Sequence, residues 1–203
     1  MASNVQDELL DAAEELFAIK GFYGASLSAI AARVGLSKPG ILHHYPSKEK
    51  LYGAVLQRQV ADLLACLDTV GGDQADPAGA LHQCFDVYTD WLDSHESAAR
   101  LLAREMLDNP MRAESVGTWY LTAFIDKLAG FIAEACEAGT FRPVNPLAFV
   151  HLLVGAQHYF VISLPTLQGM HANADIDALR QAHRQEMRRL ISGLTAAPTT
   201  TVG

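Results

Sequence analysis

Residues 26–50, SLSAIAARVGLSKPGILHHYPSKEK, constrain this chain more than any other stretch. Leu27, Ile30, Ala31 and Val34 repeat at the i, i+3, i+4, i+7 spacing of one helical face, behind a polar start at Ser26. Gly35 stops that helix, because glycine enters the left-handed C-terminal conformation without a steric penalty. Ser37 offers a cap oxygen to the next helix, and Lys38-Pro39 fills its first turn, where a missing N–H breaks no hydrogen bond. A third helix starts at once, at Ser47. Two short helices across a tight turn are the helix-turn-helix pattern, whose second helix enters the major groove of duplex DNA. Double-stranded DNA is therefore the partner this segment predicts.

The flanks extend the pattern. Ala12, Leu16, Phe17, Gly21 and Phe22 precede it, and Tyr45, Pro46, Ser47, Lys48, Glu49 and Leu51 close it. On these residues the first quarter of the chain resembles the N-terminal DNA-binding domain of the TetR family of bacterial transcriptional regulators. The resemblance implies an all-α protein: a three-helix head that binds DNA, followed by a helical effector-binding and dimerisation domain. It also implies phosphate contacts from the positions of Ser26 and Ser28. One position departs from the family pattern. Most members carry a tyrosine where this chain has Leu42, and leucine cannot donate a hydrogen bond to phosphate. Gly40 and His43-His44 also differ from the commonest pattern, which bears on sequence preference and not on fold.

The formal net charge is −8, which suits a DNA binder only when it is divided along the chain. Residues 20–58 hold six Lys/Arg and one acid, whereas residues 59–203 hold nine basic and seventeen acidic residues. A basic segment on an acidic remainder would turn its basic face toward phosphate. Half of the 203 residues are apolar, enough for a substantial core. The acidic N-terminus lacks the positive start of a signal peptide. The longest apolar stretch, near Leu147 to Leu164, is interrupted by His151, Gln157 and His158, so no membrane partner is expected. Three widely spaced cysteines, with no C-x-x-C pair, fit a reduced cytoplasmic setting.

Periodicity and breakers predict about nine helices. The first runs from Val5 to Lys20 and the fourth from Ser47 to about Val70. The remaining five are Pro77–Ser94, Ser97–Leu107, Met111–Ala138, Pro146–Leu164 and Ile176–Leu194. The expected domains are residues 1–50, the DNA-binding head, and 51–196, the helical body, with a frayed tail at 197–203.

On the reading helix, Ile41 and Tyr45 are four apart and face the core, while Lys38 and His43 reach base edges. Pro39 can touch a thymine methyl, and Gly40 lets the backbone approach the groove. His44, Tyr45 and Lys48 are phosphate candidates. In the body, Phe85, Tyr88, Trp91, Trp119, Tyr120, Phe124 and Phe131 form either an ordinary core or the wall of a pocket for a small apolar or amphipathic effector. Arg104, Glu105, Gln157 and His158 are its candidate polar groups, although Arg104 has a plainer role open to it, pairing with Glu105 or Asp108. Apolar residues occupy nearly every face of 146–164, and 176–194 adds Leu179, Met187 and Leu190, so these two helices are the expected homodimer interface.

No metal or cofactor is expected. His43 and His44 point about 100° apart on a helix, and His151 and His158 lie about 10 Å apart along one. No nucleophile motif or phosphate-binding glycine loop is present. Two alternatives stay open: a helical small-molecule-binding protein or enzyme in which the helix-turn-helix is only structural, and a DNA-binding protein that answers to no ligand.

Overall fold

The computed structural model describes residues 5–70, 76–116 and 120–195, with residues 108–116 described by their backbone alone. Among the described residues it is all-α, with nine helices and one isolated antiparallel bridge between Phe141 and Thr195. The helices are α1 (Val5–Gly24), α2 (Leu27–Arg33), α3 (Lys38–His44), α4 (Lys48–Asp68), α5 (Pro77–Ser94), α6 (Glu96–Val116), α7 (Thr122–Glu137), α8 (Pro146–Met170) and α9 (Ile176–Ser192).

The boundaries follow local chemistry where a cap is available. The side chains of Ser26, Ser37, Asn145 and Asp175 accept from the backbone N–H three residues on, which starts α2, α3, α8 and α9. Gly35 and Gly139 take positive φ after α2 and α7. Gly21 also leaves helical geometry, at φ 70°, yet α1 resumes after it and reaches Gly24 instead of ending at Lys20.

Two expected breaks shift. The helix begun at Glu96 continues through Asp108-Asn109-Pro110 to Val116, so α6 absorbs the start of the segment assigned to Met111–Ala138, and α7 begins only at Thr122. Likewise α8 continues past Pro165 to Met170. An internal proline removes one i→i−4 hydrogen bond and can kink a helix without ending it; Val161 and Leu164, on the N-terminal side of Pro165, are buried. The lengthened α8, 25 residues with mean hydropathy 1.6 over its most apolar 18-residue window, is long and apolar enough to cross a membrane by length and composition, against the expectation that no stretch would be. One side of it packs in the core, burying Gln157 and His158 along with Leu153, Val154 and Val161. The expected tail at 197–203 lies outside the described residues.

The chain packs as two compact units, one made of residues up to 62 with 95–121, the other of 63–94 with 122 onward. This division differs from the expected boundary at residue 50, because α6 packs on α1 and joins the head. In the first unit Leu9, Phe17, Ile30, Ile41, Leu51, Tyr52 and Leu56 are fully buried. The rings of Phe17 and Phe22 each meet that of Tyr52 edge-on, at 4.8 and 5.2 Å. In the second unit Leu81, Phe85, Tyr88, Leu92, Phe124, Ile132, Val150 and Ile191 form the core. There α9 lies along α5 through Arg180–Asp93, Arg184–Asp90 and Arg188–Asp86 ion pairs.

Candidate nucleic-acid interface

Both short helices of the motif are held from beneath. Ile30 and Ala31 of α2 and Ile41 of α3 are buried, and Leu36 N bonds back to Ala31 O at 2.9 Å across the turn. The outward side is mostly polar or prolyl: Ser26, Ser28, Lys38, Pro39, His43 and His44 are exposed, with Leu42 among them. Ser26 Oγ already accepts from Ala29 N at 3.2 Å, which leaves its hydroxyl proton free to donate. Ser37 Oγ caps Gly40 N at 3.3 Å. A Cβ at Gly40 would meet Ser37 Oγ at 3.5 Å, an ordinary contact, so the fold does not require glycine there.

Tyr45 sits in the core at 7 % exposure, its hydroxyl accepting from Gln6 Nε2 at 3.3 Å. Of its two expected roles, the structure places it in the packing one. Lys48 is half-buried: its ammonium donates to Ala25 O at 3.1 Å and lies 4.5 Å from the Phe22 ring centroid. It thus ties the start of α4 to the residue just before the α2 cap. His43 and His44 meet edge-on at 5.7 Å.

The charge of the head needs a correction. Residues 1–62 contain six Lys/Arg and seven acids, because α1 carries Asp7, Glu8, Asp11, Glu14 and Glu15. Arg33 pairs with Glu15 at 2.5 Å, and Arg58 with Asp11 at 2.7 Å and Glu14 at 2.9 Å. Gln59 also donates to Glu14. Burial raises the Glu14 carboxyl above its ordinary range, with Arg58 opposing the shift. These bonds brace α1 against α2 and α4. Sequence reasoning over residues 20–58 missed them, although Asp11, Glu14 and Glu15 at i, i+3, i+4 were the available signal. The head is therefore not basic as a whole; Lys38, His43, His44 and Lys50 gather on α3 and the start of α4.

The pocket residues expected from sequence divide between the two compact units. Phe85, Tyr88, Trp91, Phe124, Gln157 and His158 are all buried in the second unit. Tyr88 Oη and His158 Nδ1 are 2.7 Å apart inside an apolar surround, and burial raises the Tyr88 hydroxyl pKa far above normal. The Tyr88 ring contacts Phe124 at 5.1 Å and Phe85 at 6.2 Å. Phe131 is half-buried. Arg104, Glu105 and Tyr120 belong to the first unit instead. Arg104 donates to Ala18 O at 2.9 Å and Ile19 O at 3.0 Å, the last carbonyls before the Gly21 break, and so caps the first segment of α1. Glu105 accepts from Tyr52 Oη at 3.1 Å, and the Tyr120 hydroxyl occupies the space beside Gly53. Trp119 lies outside the described residues. A separate apolar groove of about 460 Å³ opens between α8 and α9, lined by Phe160, Leu167, His171, Leu179, His183 and Glu186 among others. Phe160 stacks on His183 at 3.9 Å there.

Comparison with known proteins agrees with this arrangement. Residues 9–55 match the family described as bacterial regulatory proteins, tetR family, and residues 77–194 match the tetracyclin repressor-like C-terminal domain. The HTH-type transcriptional regulator RutR of Escherichia coli K12 is 34 % identical over 153 residues, 74 % of this chain and 71 % of its own. The HTH-type transcriptional repressor NicS of Pseudomonas putida is 26 % identical over 163 residues, 78 % and 76 % of the two chains. The HTH-type transcriptional activator FasR of Mycolicibacterium smegmatis is 34 % identical over 95 residues, 47 % and 43 %. Among solved structures, a putative transcriptional regulator from Streptomyces coelicolor superposes with a TM-score of 0.71 at 21 % identity, covering 96 % of this chain and all of the other. A fatty acid degradation regulator from Bacillus halodurans gives 0.70 at 17 %, covering 92 % and 96 %. These structures share the fold. With a capped helix-turn-helix whose outward face carries Lys38 and His43, and with both family models satisfied, the chain belongs to the tetR family of bacterial regulatory proteins and is a DNA-binding transcriptional regulator.

Proposed function

We propose that this regulator is a cytoplasmic homodimer that represses transcription by placing α3 of each subunit in the major groove of a palindromic operator, and that a small apolar or amphipathic effector releases it. The observation that carries the DNA reading is the outward face of α3, where Lys38, Pro39 and His43 are exposed while Ile41 and Tyr45 hold the helix from within. Lys38 and His43 address base edges, Ser26, Ser28 and His44 address phosphate, and Lys48 fixes the approach of α2. Of the relatives, one is named a repressor and one an activator; repression is favoured here because NicS spans the greater share of this chain.

Dimerisation through α8 and α9 is supported by apolar side chains left in solvent: Leu147, Leu152, Tyr159 and Met170 on α8, and Leu190 on α9. An effector site among Phe85, Trp91, Phe124, Tyr88 and His158 is supported by the buried Tyr88–His158 hydrogen bond, a polar pair able to orient one polar group of an otherwise apolar ligand. Such a ligand acts only through preference for a dimer whose reading helices no longer match about 34–36 Å, one turn of DNA.

The test is fluorescence polarisation with DNA flanking the protein's own gene. Lys48→Ala weakens binding to all sequences, and His43→Ala changes base preference. Unchanged affinity and preference in both variants would show that α3 is not the reading helix.

A further inference from the structure

Leu42 stands at the middle of the outward face of α3 and is 36 % exposed. Its helical neighbours at i−4, i−3 and i+1 are Lys38, Pro39 and His43, all exposed, whereas Ile41 is fully buried. A lone exposed leucine is unremarkable on most surfaces. Here it lies between the two side chains assigned to base edges, on a helix of seven residues. Any duplex that Lys38 and His43 reach must strip water from Leu42 as well.

Leucine offers neither donor nor acceptor. Set against a phosphate oxygen or the nitrogen and oxygen atoms of a base edge, it would desolvate that group and return no hydrogen bond. The major groove of unmodified DNA presents one apolar group, the 5-methyl of thymine. From Lys38 to His43 the helix rises about 7.5 Å at 1.5 Å per residue, roughly two base-pair steps of 3.4 Å. We propose that Leu42 is a specificity-determining residue that packs on a thymine 5-methyl group within the two or three base pairs read by Lys38 and His43 in each half-site. The assignment rests on α3 being the reading helix.

The experiment uses the full-length protein. Selection from random unmodified duplexes gives the half-site. Each thymine is then replaced by deoxyuridine, symmetrically in both halves, and affinity is read by polarisation at fixed salt. One replacement should weaken the wild type about fourfold per half-site, the worth of one buried methyl group, so about fifteenfold in all. Leu42→Ala should bind the unmodified duplex more weakly and be indifferent to deoxyuridine at that same position, while keeping any penalty at a thymine that Pro39 touches. At that position 5-methyldeoxycytidine paired with dG should bind better than deoxycytidine, showing that the methyl group is what is read. Wild-type indifference at every thymine, or a full deoxyuridine penalty retained by Leu42→Ala, overturns the proposal. Those outcomes leave the reading helix standing, whereas failure of the wild type to select any sequence removes both.

Discussion

Gly40 separates what the fold needs from what the proposed DNA contact needs. It is helical, and an added Cβ meets only Ser37 Oγ and Leu36 at ordinary distances. Gly40→Ala should therefore stabilise the protein by about 0.5–1 kcal/mol, the helix-propensity difference. If, as proposed, the Gly40 backbone approaches the groove, the added methyl group should lower DNA affinity tenfold or more. Urea denaturation and polarisation measure the two effects, and a rise in stability without loss of affinity would place Gly40 away from the DNA. Arg104 shows the reverse pattern. Its guanidinium satisfies two orphan carbonyls at Ala18 and Ile19 and touches no candidate DNA contact. Arg104→Leu should destabilise by about 1–3 kcal/mol, the range for removing a partner of hydrogen-bonded backbone groups. Effector affinity should not change, because the candidate effector residues belong to the other compact unit.

Magnitudes decide what holds α9 to α5. The ladder of Arg180, Arg184 and Arg188 with Asp93, Asp90 and Asp86 is solvent-facing, its arginine side chains between 35 and 56 % exposed. Such pairs contribute about 0–1 kcal/mol each and weaken in salt. Ile191, by contrast, is fully buried. Arg184→Met should shift stability by less than about 1 kcal/mol, whereas Ile191→Ala should cost about 2–5 kcal/mol. The reverse ranking in a denaturation series would mean the ladder dominates. Between α8 and α9, burial lowers the His183 pKa. A depressed folded pKa means stability is fully present above the unfolded value near 6.5 and is lost as pH falls below it toward the folded value. His183→Phe keeps the stack on Phe160 and should flatten the decline of Tm between pH 6.5 and 5. His82, also depressed by burial, supplies a remainder that His82→Gln removes. Legibility in the sequence follows the same physics. Local signals carried α2, α3 and α5 and the starts of α8 and α9, because serine, asparagine, aspartate and proline act within one turn of themselves. Pro110 and Pro165 misled, since a proline removes a single helical hydrogen bond and need not end the helix. Arg104 and the α1 acids misled too, because their partners are tens of residues away in sequence. The outward face of α3 was readable from the spacing of Ile41 and Tyr45; the neutralised arginines behind it were not.

The chain as a unit carries −8 and a head with slightly more acid than base, so attraction to DNA must come from a few side chains placed together. In the proposed dimer two copies double that small set, so affinity should depend on dimerisation. Leu152 and Tyr159, seven apart on one stripe of α8, are 54 and 73 % exposed, and neither supports the core of its own subunit. Replacing both with aspartate puts two like charges into each side of a two-fold contact and removes its apolar area. The double variant should keep its helical circular dichroism yet sediment as a monomer. Its affinity for a full operator should fall by about 10²–10⁴, the usual gain from tethering two modules. The slope of log affinity against log salt should also halve, because it scales as about −0.9 per phosphate neutralised and each head now acts alone. A change in slope is the sharper readout: general damage lowers affinity without halving the number of phosphates met. A variant that stays dimeric and keeps the wild-type slope would move the interface off this face of α8.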